Sequence, residues 1–333
     1  MPALSTFVTS ITQDKFLPKV VENALAGNVL TMKLMSNMPT WNGGTSIEVP
    51  TILESYNQLG SYSGADVLST TQQNVRQRAS FTPSQVYASA TLTGIQRAVN
   101  QGEAAVIDLV AQEMEQVSNF LKDEMGRQIY TDGTGNSSKD ILGLLAAVDD
   151  ATDVVTYGGI SRNTFTNWRA TRTAQSGSLS LANLAADFDA AQVGSDTPDL
   201  IVTTPAVWTI YEALLTPTVQ HSVSPTEFRL TAEGSKPISN LGGNQGFRAL
   251  AFRGVPVVAD EKCTSGNIFT LNTNFLKLYK LPQPDRKEIA NGFAWTGWKE
   301  PTNQDAVTGQ LLWYGQLLCT SPRRQARRTG VTS

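Results

Sequence analysis

The 333-residue chain is short of the side chains on which most enzymatic and metal chemistry depends. It has one histidine and two cysteines, and its 26 basic residues do not match its 29 acidic ones. Any Ser-His-Asp arrangement would have to pass through His221, which lies in the polar stretch TVQHSVSP, and no Gly-x-Ser-x-Gly surrounds a serine. Cys263 and Cys319 are too few for a structural zinc cage and far in sequence from that histidine, so they read as buried free thiols and no metal is expected. A net charge of −3 argues against general nucleic-acid affinity. There is no run of 18 apolar residues, which argues against a membrane span. The opening MPALSTFVTSITQDKF has no basic region followed by an apolar one, which argues against a secretory leader. The chain is expected to be made and kept in a cytoplasm. Internal repeats and low-complexity segments are also missing.

What is present suits a large core, with 40% hydrophobic and 17% charged residues. Residues 1–44 end in the turn signal Trp41-Asn42-Gly43-Gly44. Beyond it Ile47 and Val49 alternate with polar neighbours, as do Val86, Ala88, Ala90 and Leu92, a pattern of half-buried strands. The polar sequence between them predicts a long projecting hairpin with Arg76 and Arg78 near its tip. Such a hairpin is at best marginally stable alone, so it is expected to rest on another surface. A helix is predicted over 101–130, capped by Asn100 with Glu103, and carries Ile107, Val110, Met114, Val117, Leu121, Met125 and Ile129 in one stripe. At 1.5 Å per residue it would be about 45 Å long. Further helices are expected over 181–193 and 205–215, and strands over 199–203, 251–259, 268–279, 293–298 and 311–318.

Two loops invite a chemical reading. DGTGNSSK is Gly-rich and ends in Lys139, but Ser138 precedes that lysine, Asp140 follows it, and the loop follows a helix, so it does not fit a phosphate cradle. Asp149, Asp150 and Asp153 fall in VDDATD without the spacing of a calcium loop, and a solvated turn is expected there. No dinucleotide fingerprint follows any predicted strand. No catalytic residue and no cofactor is assigned.

After the long helix come IYTDGTGNSSKDILGL, TYGGISRNTFTNWRA, PDLIVTTPAVWTIYEALL, GFRALAFRGVPVVADEKCTSGNIFTLNTNFLKLY and LCTSPRRQARRTGV. This ordered set resembles the major capsid protein of tailed bacteriophages, with the Hong Kong 97-type fold. The resemblance implies an α+β fold with an N-terminal arm (1–44), an E-loop hairpin (45–93) and a peripheral domain with a spine helix (94–135). A mixed α/β axial domain (136–264), further peripheral strands (265–318) and a C-terminal closing strand (319–333) would complete it. It implies a non-enzymatic subunit of the virion head, assembled in the host bacterial cytoplasm through hexamers and pentamers into an icosahedral shell around double-stranded DNA. DNA would be enclosed without sequence-specific contact. A separate scaffolding protein is expected because only 44 residues precede the hairpin, together with a portal protein and a possible cement protein. The intersubunit contact residues expected are Trp41, Arg76, Arg78, Arg323, Arg324, Arg327 and Arg328, the last four forming salt bridges rather than touching DNA. Some relatives are cross-linked through an E-loop lysine, but residues 45–93 hold no lysine, so a noncovalent shell is expected. The alternatives are an encapsulin-like nanocompartment shell and, less favoured, a hydrolase using the carboxylates of 149–153.

Overall fold

The computed structural model describes residues 28–54, 58–99, 113–114, 116–117, 120–121, 123–215, 249–286, 288–290 and 292–332. Arm residues 1–27, the Asn100 cap with Ile107 and Val110, and His221 lie outside them.

One half of the chain is organised by a six-stranded sheet ordered β6-β15-β10-β7-β9-β8, with β6 Thr171–Gly177, β7 Leu200–Thr203, β8 Ala249–Phe252, β9 Val255–Ala259, β10 Ile268–Leu271 and β15 Ala326–Val331. β7 reads Leu-Ile-Val-Thr and is buried throughout, because both faces of the sheet are covered. Leu200, Val202, Val258 and Phe269 point into the main core. Ile201, Val257 and Ile268 point into a second core with two helices, α3 (Leu181–Ala191) and α4 (Pro205–Leu215), through Leu184, Phe188, Val207, Trp208 and Tyr211. Ser180 caps α3 by accepting from the Asn183 amide. The strand expected over 251–259, which spans most of FRGVPVVAD, is not one strand. It is the turn and second strand of a hairpin, β8 against β9, reversed at Arg253 and Gly254, both at positive φ.

The other half is a five-stranded sheet built on β14 (Ala306–Cys319), which pairs with β3 (Ser84–Thr93), β11 (Leu276–Lys280) and β13 (Phe293–Trp295), with β12 (Glu288–Ala290) beyond β13. The chain passes between the two sheets at Asn272–Phe275, so the expected single strand 268–279 is two strands in different sheets. An arm helix, α1 (Val29–Ser36), packs into the same core. Helix α2 is described at helical residues between 113 and 129. Its stripe residues Met114, Val117, Leu121, Met125 and Ile129 are each at most 4% exposed.

The projecting hairpin is closed differently from the sequence pattern. β1 (Ile47–Ile52) pairs with β2 (Arg76–Phe81), from Ile47 opposite Phe81 to Ile52 opposite Arg76, and not with β3. β3 belongs to the five-stranded sheet, its alternation serving to bury Val86, Ala90 and Leu92 there.

Candidate assembly interface

The hairpin has an anchored base and a bare tip. At the base, Phe81 is buried and meets Tyr157 edge to face at 5.1 Å, the Ser80 amide donates to the Gly158 carbonyl at 2.9 Å, and the Asn167 side chain donates to the Leu53 carbonyl at 2.7 Å. Arg76 and Arg78 lie on β2 rather than at the tip, both exposed, with Arg78 2.8 Å from Glu48 across the strand pair. Beyond them the tip reverses at Ser63–Asp66, where Asp66 accepts from the Ser63 amide. Its side chains Leu59, Tyr62, Val67 and Leu68 are 58–98% exposed. Holding roughly twenty residues in place costs about 1–2 kcal/mol each, and a tip that buries none of these four groups has little to offset it. Sequence reading took this segment as polar. The missed signal is four apolar residues spaced among Ser, Gln and Gly.

A groove of about 790 Å³ runs between β3 and α2, with residues 85–89 on one side and Phe120, Glu124 and Gln128 on the other. Tyr87 and Phe120, 66% and 68% exposed, bring apolar surface to it. Its rim is the turn 136–140, where Asn136, Ser137 and Ser138 all hold positive φ. Arg127 reaches both Glu124, at 2.6 Å, and Asp140, at 2.7 Å, and these carboxylates push its already high pKa further up. Glu124 is correspondingly held low by Arg127. The rim that ends DGTGNSSK is therefore tied to the helix by charge through the next residue, Asp140.

The C-terminal arginines divide. Arg327 and Arg328 point to opposite faces of β15 and are 1% and 5% exposed. Arg327 pairs with Asp153, and with Asp149 at 3.5 Å. Arg328 holds Asp187 through two bonds of 2.6 and 2.8 Å and also donates to Gln175 and the Asn183 carbonyl. Burial raises the Asp187 pKa, and Arg328 pulls it back. The expected salt bridges thus form within the chain. Arg324 pairs with Asp196 at 3.0 Å and lies over Phe275, while Arg323 is exposed and donates to Asn167 at 3.2 Å. VDDATD is a solvated turn only in part: Thr152 and Asp153 are exposed, whereas Asp149 is fully buried and accepts from the amides of Ala151, Asp153 and Val154. Trp41 is also buried, its amide donating to the Lys280 carbonyl and its indole to the Gly43 carbonyl, both at 2.7 Å. Trp41, Arg327 and Arg328 are thus occupied inside the chain, and of the expected contact residues Arg76, Arg78 and Arg323 are the freest to meet a neighbour. Among the described residues there is no group of three His, Cys, Asp or Glu that could hold a metal.

No protein-family model and no curated protein matches the chain. Solved structures do. The capsid asymmetric unit of cyanophage A-1(L) superposes with a TM-score of 0.72 over 92% of this chain and 93% of that one, at 17% identity. The fold is the Hong Kong 97 capsid type. The same Hong Kong 97-type architecture links the chain to the SrpI encapsulin of Synechococcus elongatus PCC 7942, with a TM-score of 0.60 at 11% identity over 91% of this chain and 86% of that one. It also matches the capsid of a native GTA particle, with a TM-score of 0.55 at 13% identity over 91% of each chain. At these identities it is the Hong Kong 97-type fold that is shared.

Proposed function

We propose that the chain is the structural subunit of a phage head, assembling through hexamers and pentamers into a closed icosahedral shell around double-stranded DNA. The observation that carries this reading is a Hong Kong 97-type fold over nine-tenths of the chain, joined to a hairpin whose tip leaves apolar side chains exposed that nothing among the described residues covers. Its role is structural rather than catalytic. A separate scaffolding protein would guide assembly in the host cytoplasm, a portal protein would occupy one vertex, and a cement protein would be a further partner. Arg76, Arg78 and Arg323 are the exposed members of the expected contact set and serve the intersubunit surface. Cohesion is noncovalent, since residues 45–93 offer no lysine to attack a neighbour and arginine keeps its charge.

Electron microscopy of the chain, expressed alone and with its scaffolding partner, tests this. Closed shells, or free hexamers and pentamers, are expected, and a monodisperse monomer in both preparations would overturn it. Boiling the particles in detergent should then release one band near 35.9 kDa, not a covalent ladder. The encapsulin likeness favours a second reading, a nanocompartment shell. DNA-free particles that carry a protein cargo in vivo would select it.

A further inference from the structure

The stretch Trp41-Asn42-Gly43-Gly44 joins the arm to the hairpin and is fixed on both sides of one residue. The Pro39 carbonyl accepts from the Lys280 amide at 3.1 Å and the Trp41 amide donates to the Lys280 carbonyl at 2.7 Å, which fastens the arm to the edge of β11. The Trp41 indole then reaches past Asn42 to the Gly43 carbonyl at 2.7 Å. Asn42 stands exposed at the apex, and its side chain has no hydrogen-bond partner among the described residues. Gly43 follows at φ +96, with nothing but its chain neighbours within 4 Å of where a Cβ would be. We propose that Asn42 is a self-modification site, its side-chain amide converted to a carboxylate through attack by the Gly43 backbone nitrogen.

The reaction balances without an oxidant, a metal or a second protein. The Gly43 nitrogen bonds to the Asn42 Cγ and gives up its proton, the Cγ–Nδ2 bond breaks, and ammonia leaves. Water then opens the succinimide at either carbonyl, to aspartate or to isoaspartate. Glycine suits the attacking position, because a Cβ there would crowd the closing ring and restrict the turn of its nitrogen. Among the described asparagines Asn42 alone precedes a glycine. Several of the others are also held: Asn136 donates to Asp140, Asn167 to the Leu53 carbonyl and Asn272 to the Thr197 carbonyl. Either product adds a negative charge to the junction. The isoaspartate route also threads the main chain through the side chain, lengthening by a methylene the link that the Trp41 indole bridges. A subunit therefore carries, between arm and hairpin, a slow and irreversible record of its age.

The chemistry is internal to one chain, so its test is independent of the shell reading. The free subunit, folded or unfolded in urea, is incubated in mildly alkaline buffer made with heavy-oxygen water. Chromatography and mass spectrometry of peptides spanning residue 42 follow both isomers. An exposed loop opens at almost no cost, so the folded chain should convert within about tenfold of the unfolded rate. Each product should carry a solvent oxygen, with isoaspartate present. In Asn42→Gln, whose longer side chain would have to close a larger ring, the conversion should disappear from this peptide. Should that variant fold poorly, the wild-type rates and isomers decide. Folded conversion slower than that, aspartate without isoaspartate, or conversion that persists in Asn42→Gln would overturn the assignment.

Discussion

The six-stranded sheet and the hairpin tip solve opposite problems with similar lengths of chain. In the sheet the buried charges are met at home: β15 brings two arginines into the interior, and Asp149, Asp153 and Asp187 are waiting for them. At Gly330, whose φ is +74, any side chain would run into the Gln175 carbonyl, so even the backbone there is committed to one arrangement. The tip does the reverse, holding apolar side chains in solvent on a backbone without a ladder. The sheet has the means to fold as part of a lone subunit, whereas the tip acquires its structure only from what covers it. Damage to the first should therefore be visible in the free subunit, and damage to the second only in the particle.

The largest effect should come from Arg327→Ala. Removing Arg327 takes one of two cations from fully buried Asp149, leaving it Arg172 at 3.7 Å and its three backbone amides, and strips Asp153 of its nearest partner, a loss at the lower end of about 3–5 kcal/mol. Thermal or urea unfolding of the free subunit should show it in full. Unchanged subunit stability with failed assembly would mean that these arginines serve neighbours instead, and the contrast between sheet and tip would collapse.

How much of this contrast could be read from sequence depends on where the partners lie. The stripe of α2 and the apolar run of β7 were legible because each is a local pattern. ARRTGV was not legible as a buried strand, since its two arginines look solvent-bound until partners 141 and 174 residues away are brought to them. The hairpin's second strand, RQRASF, was hidden for a related reason. Its alternation is real but spends Arg76, Arg78 and Ser80 on the outside, leaving Ala79 and Phe81 to mark the buried face. The stronger alternation of 86–92 drew the pairing instead. The groove was illegible altogether, because Tyr87, Phe120 and Lys139 share no sequence neighbourhood.

A smaller effect is expected at Asp260, the lone acid closing FRGVPVVAD. It is buried where the end of α2, the arm helix and β9 meet, accepting from the Tyr130 hydroxyl at 2.8 Å and the Lys262 amide at 3.0 Å. Burial raises its pKa, with Tyr130 pulling the other way. A carboxyl raised on folding contributes stability that is fully present below its unfolded value, about 3.9, and is lost as pH rises through the folded value. Wild type should therefore lose ground to Asp260→Asn as pH rises from about 4 toward neutrality. Paired urea titrations across that range measure the gap, and one that does not move with pH would show that the carboxyl does not titrate with folding.

The smallest effect on the subunit should come from the tip, where it is most informative. Leu68→Ser removes an apolar side chain that is 58% exposed, so the free subunit should change by no more than about 0.5 kcal/mol, the range of ordinary surface substitutions. Phe81→Ala at the base of the same hairpin deletes a side chain 1% exposed in the main core and should cost about 3–5 kcal/mol in the subunit alone. The two substitutions sit in one hairpin and differ mainly in what their side chains touch. Assembly yield should fall for both, but only the Phe81 variant should melt early as a subunit. A Leu68→Ser subunit that unfolds as readily as the Phe81→Ala one would show that the tip is already packed within its own chain, and the hairpin would then be a finished part of the monomer.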